Sequence, residues 1–174
     1  MDPNILIYAA DGSRNEFTFE GKFRFEIWKP KLLHFKPSNK GYKYVLYWLF
    51  HYLGIFSNKH YCSLHVKKDG KEIASMLIVP KYFKWPFMDD ADVQFTYVLT
   101  DKSYRGRGIA SNMIQFIFNH LGDSVNQFWY VTDTSNKASI AVAKKNGFKF
   151  IGKGKKLKMF NRIELINAKS DEIE

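Results

Sequence analysis

The sequence predicts an α/β (α+β) domain, a mixed β-sheet with helices packed on it. Three observations carry that reading. The spacing of apolar residues switches along the chain between the strand period of two and the helical period near 3.6. In the second half, strand-like and helical segments alternate, which implies some parallel pairing. Finally, 174 residues, 45% of them apolar, suffice for one ordinary domain and are few for two.

The elements follow in order. Phe17, Phe19, Gly21, Phe23, Phe25 and Ile27 alternate with polar residues and predict a first strand, with Gly21 as a turn or bulge inside it. Pro30 and Pro37 bracket a connection that contains His34. Tyr42 to Leu53 reads as a helix ended by Gly54. His60 to Lys67 and Glu72 to Val79 read as strands, with Asp69-Gly70 between them as a type I′ hairpin turn. Lys81 to Met88 is aromatic and irregular, a loop. Asp92 to Thr100 is a strand. Ile109 to Leu121 follows a helical period and stops at Gly122. Gln127 to Thr132 is a strand. Asn136 suits the N-cap of a helix over Lys137 to Asn146, and Gly147 its end. Phe148 to Ile151 and Leu157 to Ile166 close the order as strands before an acidic tail. The expected order is β, α, β, β, β, α, β, α, β, β.

Composition removes several classes of function. Lys plus Arg is 27 and Asp plus Glu is 17, a net charge of +10 that favours an anionic partner. An aromatic content of 17% is too hydrophobic for a disordered basic tail. One cysteine leaves no internal disulfide framework and fits a reducing cytoplasm. Met1 to Gly12 lacks a basic n-region, and Asp2 and Asp11 flank only the short apolar run Ile5 to Ala10, so no signal peptide is expected. The longest apolar stretch, Tyr44 to Phe56, is too short for a membrane span of about 20 residues and reads as a buried or semi-buried helix. The five histidines show no HExxH or paired spacing, so no metal is expected.

The chemistry concentrates in Asp101 to Ser111, DKSYRGRGIAS, between a strand and a helix. Gly106 and Gly108 let the backbone turn tightly and let a ligand approach. The first helical turn offers unpaired N–H groups and a partial positive charge, and Arg105 and Arg107 add two cations. A pyrophosphate cradle and a plain glycine turn both fit these six residues. The P-loop pattern is absent, and Ser111 stands where the dinucleotide fingerprint needs its third glycine.

Arg105-Gly106-Arg107-Gly108-Ile109-Ala110 resembles the R/Q-x-x-G-x-G/A motif of the GNAT superfamily, the acyl-CoA-dependent N-acyltransferases. Downstream, Asn136-x-x-Ser139 with Lys145-Asn146-Gly147-Phe148 resembles the same family's N-x-x-A/S…K-x-G-F helix. The resemblance implies the GNAT fold, in which parallel strands 4 and 5 splay apart in a central sheet flanked by helices. It implies one domain over 1–174. Within it, 1–91 is the acceptor-side half, 92–152 the acetyl-CoA-binding core, and 153–174 the C-terminal strand and tail.

The resemblance also implies roles. Backbone amides of Arg107 to Ala110, with Arg105, Gly106 and Thr100 beside them, would hold the CoA pyrophosphate. The Val98 amide would meet the thioester oxygen as a one-donor oxyanion site. Asn136 and Ser139 would face the pantetheine or thiol end. Many members carry a tyrosine seven residues after the Asn; here that position is Ala143. A thiol leaves with little acid help, so Ser139, Tyr130 or water remain as the acid. For the base, Asp92 stands where histone-acetylating members carry a glutamate, although a strand-end Asp in a turn is the commoner role. His34 and Asp133 are further candidates, with surface and turn-capping roles as their plainer readings.

Other features carry plainer readings. Cys62 near His60 and His65 reads as a buried small hydrophobe rather than a nucleophile. The seven lysines from Lys144 to Lys158 read first as a solvated face, then as steering for CoA phosphates, and last as a nucleic-acid surface, with Phe148 and Phe150 on a buried strand face. The expected function is acetyl-CoA-dependent N-acetyl transfer to a primary amine in a ternary complex. An amino sugar or sugar nucleotide is the preferred acceptor, stacked on the loop Tyr82 to Phe87. A protein or peptide amine is the rival acceptor. A non-catalytic acyl-CoA or nucleic-acid binding module is the rival class. A homodimer is admitted by the sequence but not argued by it.

Overall fold

The computed structural model describes residues 4–12, 23–37, 41–158 and 161–167. Eight strands form one sheet: β1 (Ile5–Ala10), β2 (Phe23–Trp28), β3 (Cys62–Lys68), β4 (Lys71–Pro80), β5 (Val93–Thr100), β6 (Phe128–Asp133), β7 (Lys149–Lys156) and β8 (Ile163–Asn167). Three helices accompany them: α1 (Tyr42–Tyr52), α2 (Ile109–Leu121) and α3 (Lys137–Lys145). The strand order is β2-β3-β4-β5-β6-β1-β7-β8. All neighbours are antiparallel except β5 and β6. The mixed sheet with a parallel pair is the GNAT-like arrangement expected, its splayed strands being β5 and β6 here.

One strand was not expected. Ile5 to Ala10 lies between β6 and β7, pairing Ile5 with Asp133 and with Gly154. Its residues Ile7, Tyr8, Ala9 and Ala10 are all buried, because the sheet is covered on both faces there. A strand buried on both sides loses the alternation that reveals half-buried strands. Near the C-terminus the boundaries move: β7 runs on to Lys156, and the last strand starts only at Ile163. Phe17, Phe19, Gly21 and the acidic tail lie outside the described residues.

Two apolar cores sandwich the sheet. On one face α2, through Phe118 among others, and α3 cover Leu64, Met76, Ile78, Phe95, Phe128 and Phe148. On the other, α1 and the 81–88 loop, with Tyr82 and Trp85, cover Ile7, Leu77, Val79, Tyr61 and Trp129. The hairpin turn matches its signature: Asp69 and Gly70 both hold positive φ, 49° and 76°. Asn136 caps α3 through its Oδ1, which accepts from Ser139 N–H at 3.1 Å. Phe148 is buried as expected, but Phe150 is 37% exposed and meets Tyr8 edge-on at 5.6 Å. The ladder shifts by one residue between Ile7 and Tyr8, which re-aims the partner strand there.

No described helix is long and apolar enough to cross a membrane. Because β1 is interior, Ile7→Ala should cost about 2–5 kcal/mol, read as a lower urea midpoint at unchanged slope. An unchanged midpoint would show that β1 does not belong to the cooperative unit.

Candidate acyl-CoA cleft

The cleft forms where β5 and β6 part. Only Val93, Gln94 and Phe95 pair with β6, at Phe128, Trp129 and Tyr130. Beyond Phe95 the strands diverge. On the other side of β5 the register against β4 slips between Ser75 and Leu77, so Tyr97 and Val98 together stand opposite Met76. Tyr97 holds φ +49°, an unusual conformation for a bulky residue. A bulge bends its strand and leaves the extra residue outside the ladder, which explains why β5 swings away from β6 here.

The opening continues into a cleft of about 530 Å³. Val98, Leu99 and Thr100 line one wall, Tyr130 the floor, and Asn136, Ser139 and Lys145 the other wall. Arg105, Gly106, Gly108, Ile109, Ala110 and Ser111 close its end. Gly106 and Gly108 hold φ of +75° and +74°, and a Cβ at either would meet open space. The glycines are therefore needed for backbone conformation, not for room. Gly108 is the N-cap of α2 and supplies no side chain; the first helical bond runs from Asn112 N–H to Gly108 C=O, 3.0 Å. The N–H groups of Ile109, Ala110 and Ser111 precede that bond at the positive end of a 13-residue helix. This is a fit for an anionic group such as a pyrophosphate.

Arg105 is held at the mouth by its Nε donating to Thr100 C=O, 3.1 Å. Arg107 does not line the cleft. Its Nη2 donates to Ser103 C=O at 3.2 Å, and its guanidinium lies 5.3 Å from the Tyr104 ring centroid. Asn146, read from sequence only as part of the helix end, ties the walls together. Its Nδ2 donates to Ser111 Oγ at 3.0 Å, and its Oδ1 accepts from Gln115 Nε2 at 3.2 Å. Its burial between two helices carried no periodic signal.

Ala143 is fully buried in the core. Tyr130 and Ser139, by contrast, meet inside the cleft. Burial raises the Tyr130 pKa, and its hydrogen bond with Ser139 pulls the other way. The Tyr130 hydroxyl is thus protonated at neutral pH and able to donate.

The remaining candidates lie elsewhere. Asp92 precedes β5, six residues before Val98, which is roughly 20 Å along a strand. It is buried, and its Oδ2 accepts from Trp129 Nε1 at 2.8 Å and from Asp89 N–H at 2.7 Å. The structure does not bring Asp92 to the cleft; it locks the closed end of the β5–β6 pair. Asp133 accepts from Ser135 N–H and Oγ at 2.8 and 2.6 Å, a turn that lowers its pKa. His34 sits exposed in the 29–37 loop. Cys62 is buried, and burial pushes its thiol up to about 12. Of the seven clustered lysines, Lys145 lines the cleft. In the aromatic loop Tyr82 and Trp85 are core residues, and Phe83 is exposed.

A family model described as the acetyltransferase (GNAT) family matches residues 25–148, well over half of the chain. The chain belongs to the GNAT acetyltransferase family. Solved GNAT structures share its fold. A putative acetyltransferase of the family from Novosphingobium aromaticivorans aligns with a TM-score of 0.52 and 17% identity, over 84% of this chain and 59% of that one. A GCN5-related N-acetyltransferase from Sphaerobacter thermophilus aligns at 0.55 and 14%, over 84% and 48%. A Drosophila protein aligns at 0.55 and 13%, over 84% and 47%. This GNAT chain thus spans about half to three-fifths of the length of these structures. No curated protein sequence matches it.

Two outcomes follow from the placements. Asp92→Ala should orphan the Trp129 indole N–H and cost about 1–3 kcal/mol, read as a lowered Tm. An unchanged Tm with a changed pH–rate profile would contradict that structural role. Cys62 should resist iodoacetamide in the native protein and react once unfolded, since no thiolate forms near neutral pH. Mass spectrometry of the intact protein reads this directly.

Proposed function

We propose that this protein transfers an acetyl group from acetyl-CoA to a primary amine within a ternary complex. The observation that carries this reading is the divergence of β5 from β6 with the uncapped start of α2 at its mouth. The N–H groups of Ile109, Ala110 and Ser111, with Arg105, hold the pyrophosphate. The pantetheine arm lies between β5 and β6, beside Asn136. At the bulge the Val98 N–H donates to the thioester oxygen, where negative charge develops.

The amine nitrogen attacks the thioester carbon, and a C–N bond replaces the C–S bond. Tyr130, linked to Ser139, donates a proton to the departing thiolate. Because a thiol is a good leaving group, this acid help is modest. The proton shed by the amine nitrogen passes to solvent water. The acceptor is assigned here as a primary amine. A sugar-stacking platform at the 82–87 loop gains no support, since two of its rings are core residues.

Acetyl-CoA and desulfo-CoA at 100 times their Kd should each stabilise the protein by about 2.7 kcal/mol, read as a rise in Tm. dATP should give no rise. Gly108→Ala should lower Tm through backbone strain at φ +74° yet keep the CoA-induced rise. Gly108→Trp should lose it by filling the cleft. No rise with either CoA compound would overturn the assignment.

A further inference from the structure

Helix α1 and the 29–37 loop present an apolar surface that neither the core nor the cleft uses. Tyr44 and Tyr47 of the helix are buried in the core. Tyr42, Leu46, Leu49 and Leu53 recur at spacings of four, three and four, which puts them on one stripe on the other side of the helix. All four are exposed, Tyr42 and Leu53 at 75% and 70%. The helix, YKYVLYWLFHY, holds no acidic residue and one lysine, Lys43, whose Nζ lies over the Tyr97 ring at 4.7 Å. A helix that is apolar on both sides is normally covered on both.

The loop extends this surface. Lys31 C=O accepts from His34 N–H at 3.0 Å, closing a tight turn with Leu32 and Leu33 at its tip. Turn tips normally carry Gly, Pro, Asn, Asp or Ser. Here two leucines stand 66% and 80% exposed. The turn is fastened to α1. Trp48 Nε1 donates to Lys31 C=O at 2.9 Å, and the Phe35 ring meets Trp48 edge-on at 4.8 Å. The Tyr52 hydroxyl donates to Pro30 C=O at 3.5 Å. Trp48 and Tyr52 each precede a leucine of the stripe, so turn and stripe adjoin. Charge says what this surface meets. From Ile27 to Lys68 the chain holds eight lysines and no Asp or Glu. A second copy docked here would set this lysine-rich region against itself, because a two-fold interface presents the same patch from both partners. An anionic lipid surface takes up leucines and lysines together.

We infer that α1 and the 31–34 turn dock this protein on an anionic membrane surface. The Leu32–Leu33 tip and the Tyr42–Leu53 stripe enter the boundary between headgroups and acyl chains. Trp48 and Tyr52 sit at headgroup level, where amphipathic rings are favoured. The lysines around them, exposed Lys31 and Lys59 included, meet the lipid phosphates. With 11 residues, α1 lies in the plane of the interface and does not cross it. The inference stands apart from the transferase reading, since it uses no residue of the cleft.

The test is sedimentation of the full chain with vesicles of phosphatidylcholine, alone or mixed equally with phosphatidylserine. The protein should pellet with the mixed vesicles and stay in solution with phosphatidylcholine alone. Leu33→Gln combined with Leu53→Gln leaves the charge unchanged and should weaken binding by about tenfold or more. Lys31→Gln and Lys59→Gln should each weaken it by about fivefold. Lys137→Gln combined with Lys144→Gln, on α3 across the sheet, should leave it nearly unchanged. All these side chains are exposed, so each variant should keep the wild-type Tm. Wild-type protein that fails to pellet with the mixed vesicles, or pellets equally with both kinds, would overturn the inference. Undiminished binding by the leucine variant would also overturn it, by showing adsorption through net charge alone. A lipid-free dimer in sedimentation velocity that the leucine variant dissociates would overturn it in favour of a second copy on this face.

Discussion

Two parallel strands that separate after three paired residues leave backbone donors and acceptors without a ladder. Buried groups of this kind are costly unless something pairs with them. The divergence of β5 from β6 is the constraint on which the cleft depends. It is imposed from the far side of β5, where Tyr97 occupies a left-handed conformation and adds a residue to the ladder with β4. It is bounded at the other end by Asp92, which fastens Trp129 of β6 and the 89–92 turn together. Strain at one point and a hydrogen-bonded lock at another fix where the sheet opens.

The helices complete that opening in different ways. Helix α2 presents its uncapped start, and its amphipathic flank anchors on Phe95 and Phe128 through Phe118. Helix α3 is less apolar and holds its place through its ends. Asn136 caps one end, and Asn146 joins the other to α2. The wall residues therefore sit on regular elements rather than on free loops, which favours a fixed geometry. Helix α1 covers the opposite face together with the 81–88 loop, and the Tyr47 hydroxyl of the helix meets the Tyr82 hydroxyl of the loop at 3.4 Å.

Much of this was legible in the sequence because it depended on local rules. Glycines at 106 and 108 before a helical period, Asn136 before another, and Asp69-Gly70 between alternating runs each act within a few residues. What escaped depended on tertiary context. Ile5 to Ala10 lacked alternation because both its faces are covered. The place of Asp92 at a strand start carries no sign of its partner Trp129, 37 residues away. Arg107 looked like a ligand group in the motif but folds back on Ser103 and Tyr104. Ser63, His65 and Glu72 meet through two levels of spacing, two residues along β3 and then across the hairpin. The turn between those strands was legible, but the bulge between Val66 and Lys67 that adjusts their register was not.

The placement of β1 also sets an order of events during synthesis. Its partners in β6 and β7 emerge more than a hundred residues after it, Ile5 pairing with Asp133 and Gly154. At ribosomal speeds of about 5–20 residues per second, the segment ILIYAA waits on the order of ten seconds for them. Through that interval it is an apolar strand with both edges bare, the kind of segment that seeks other chains. The β2–β5 meander, by contrast, is made from antiparallel neighbours close in sequence and can assemble as it emerges. The middle of the finished sheet thus closes only after the β2–β5 meander has formed, with the edge strand β8 added last.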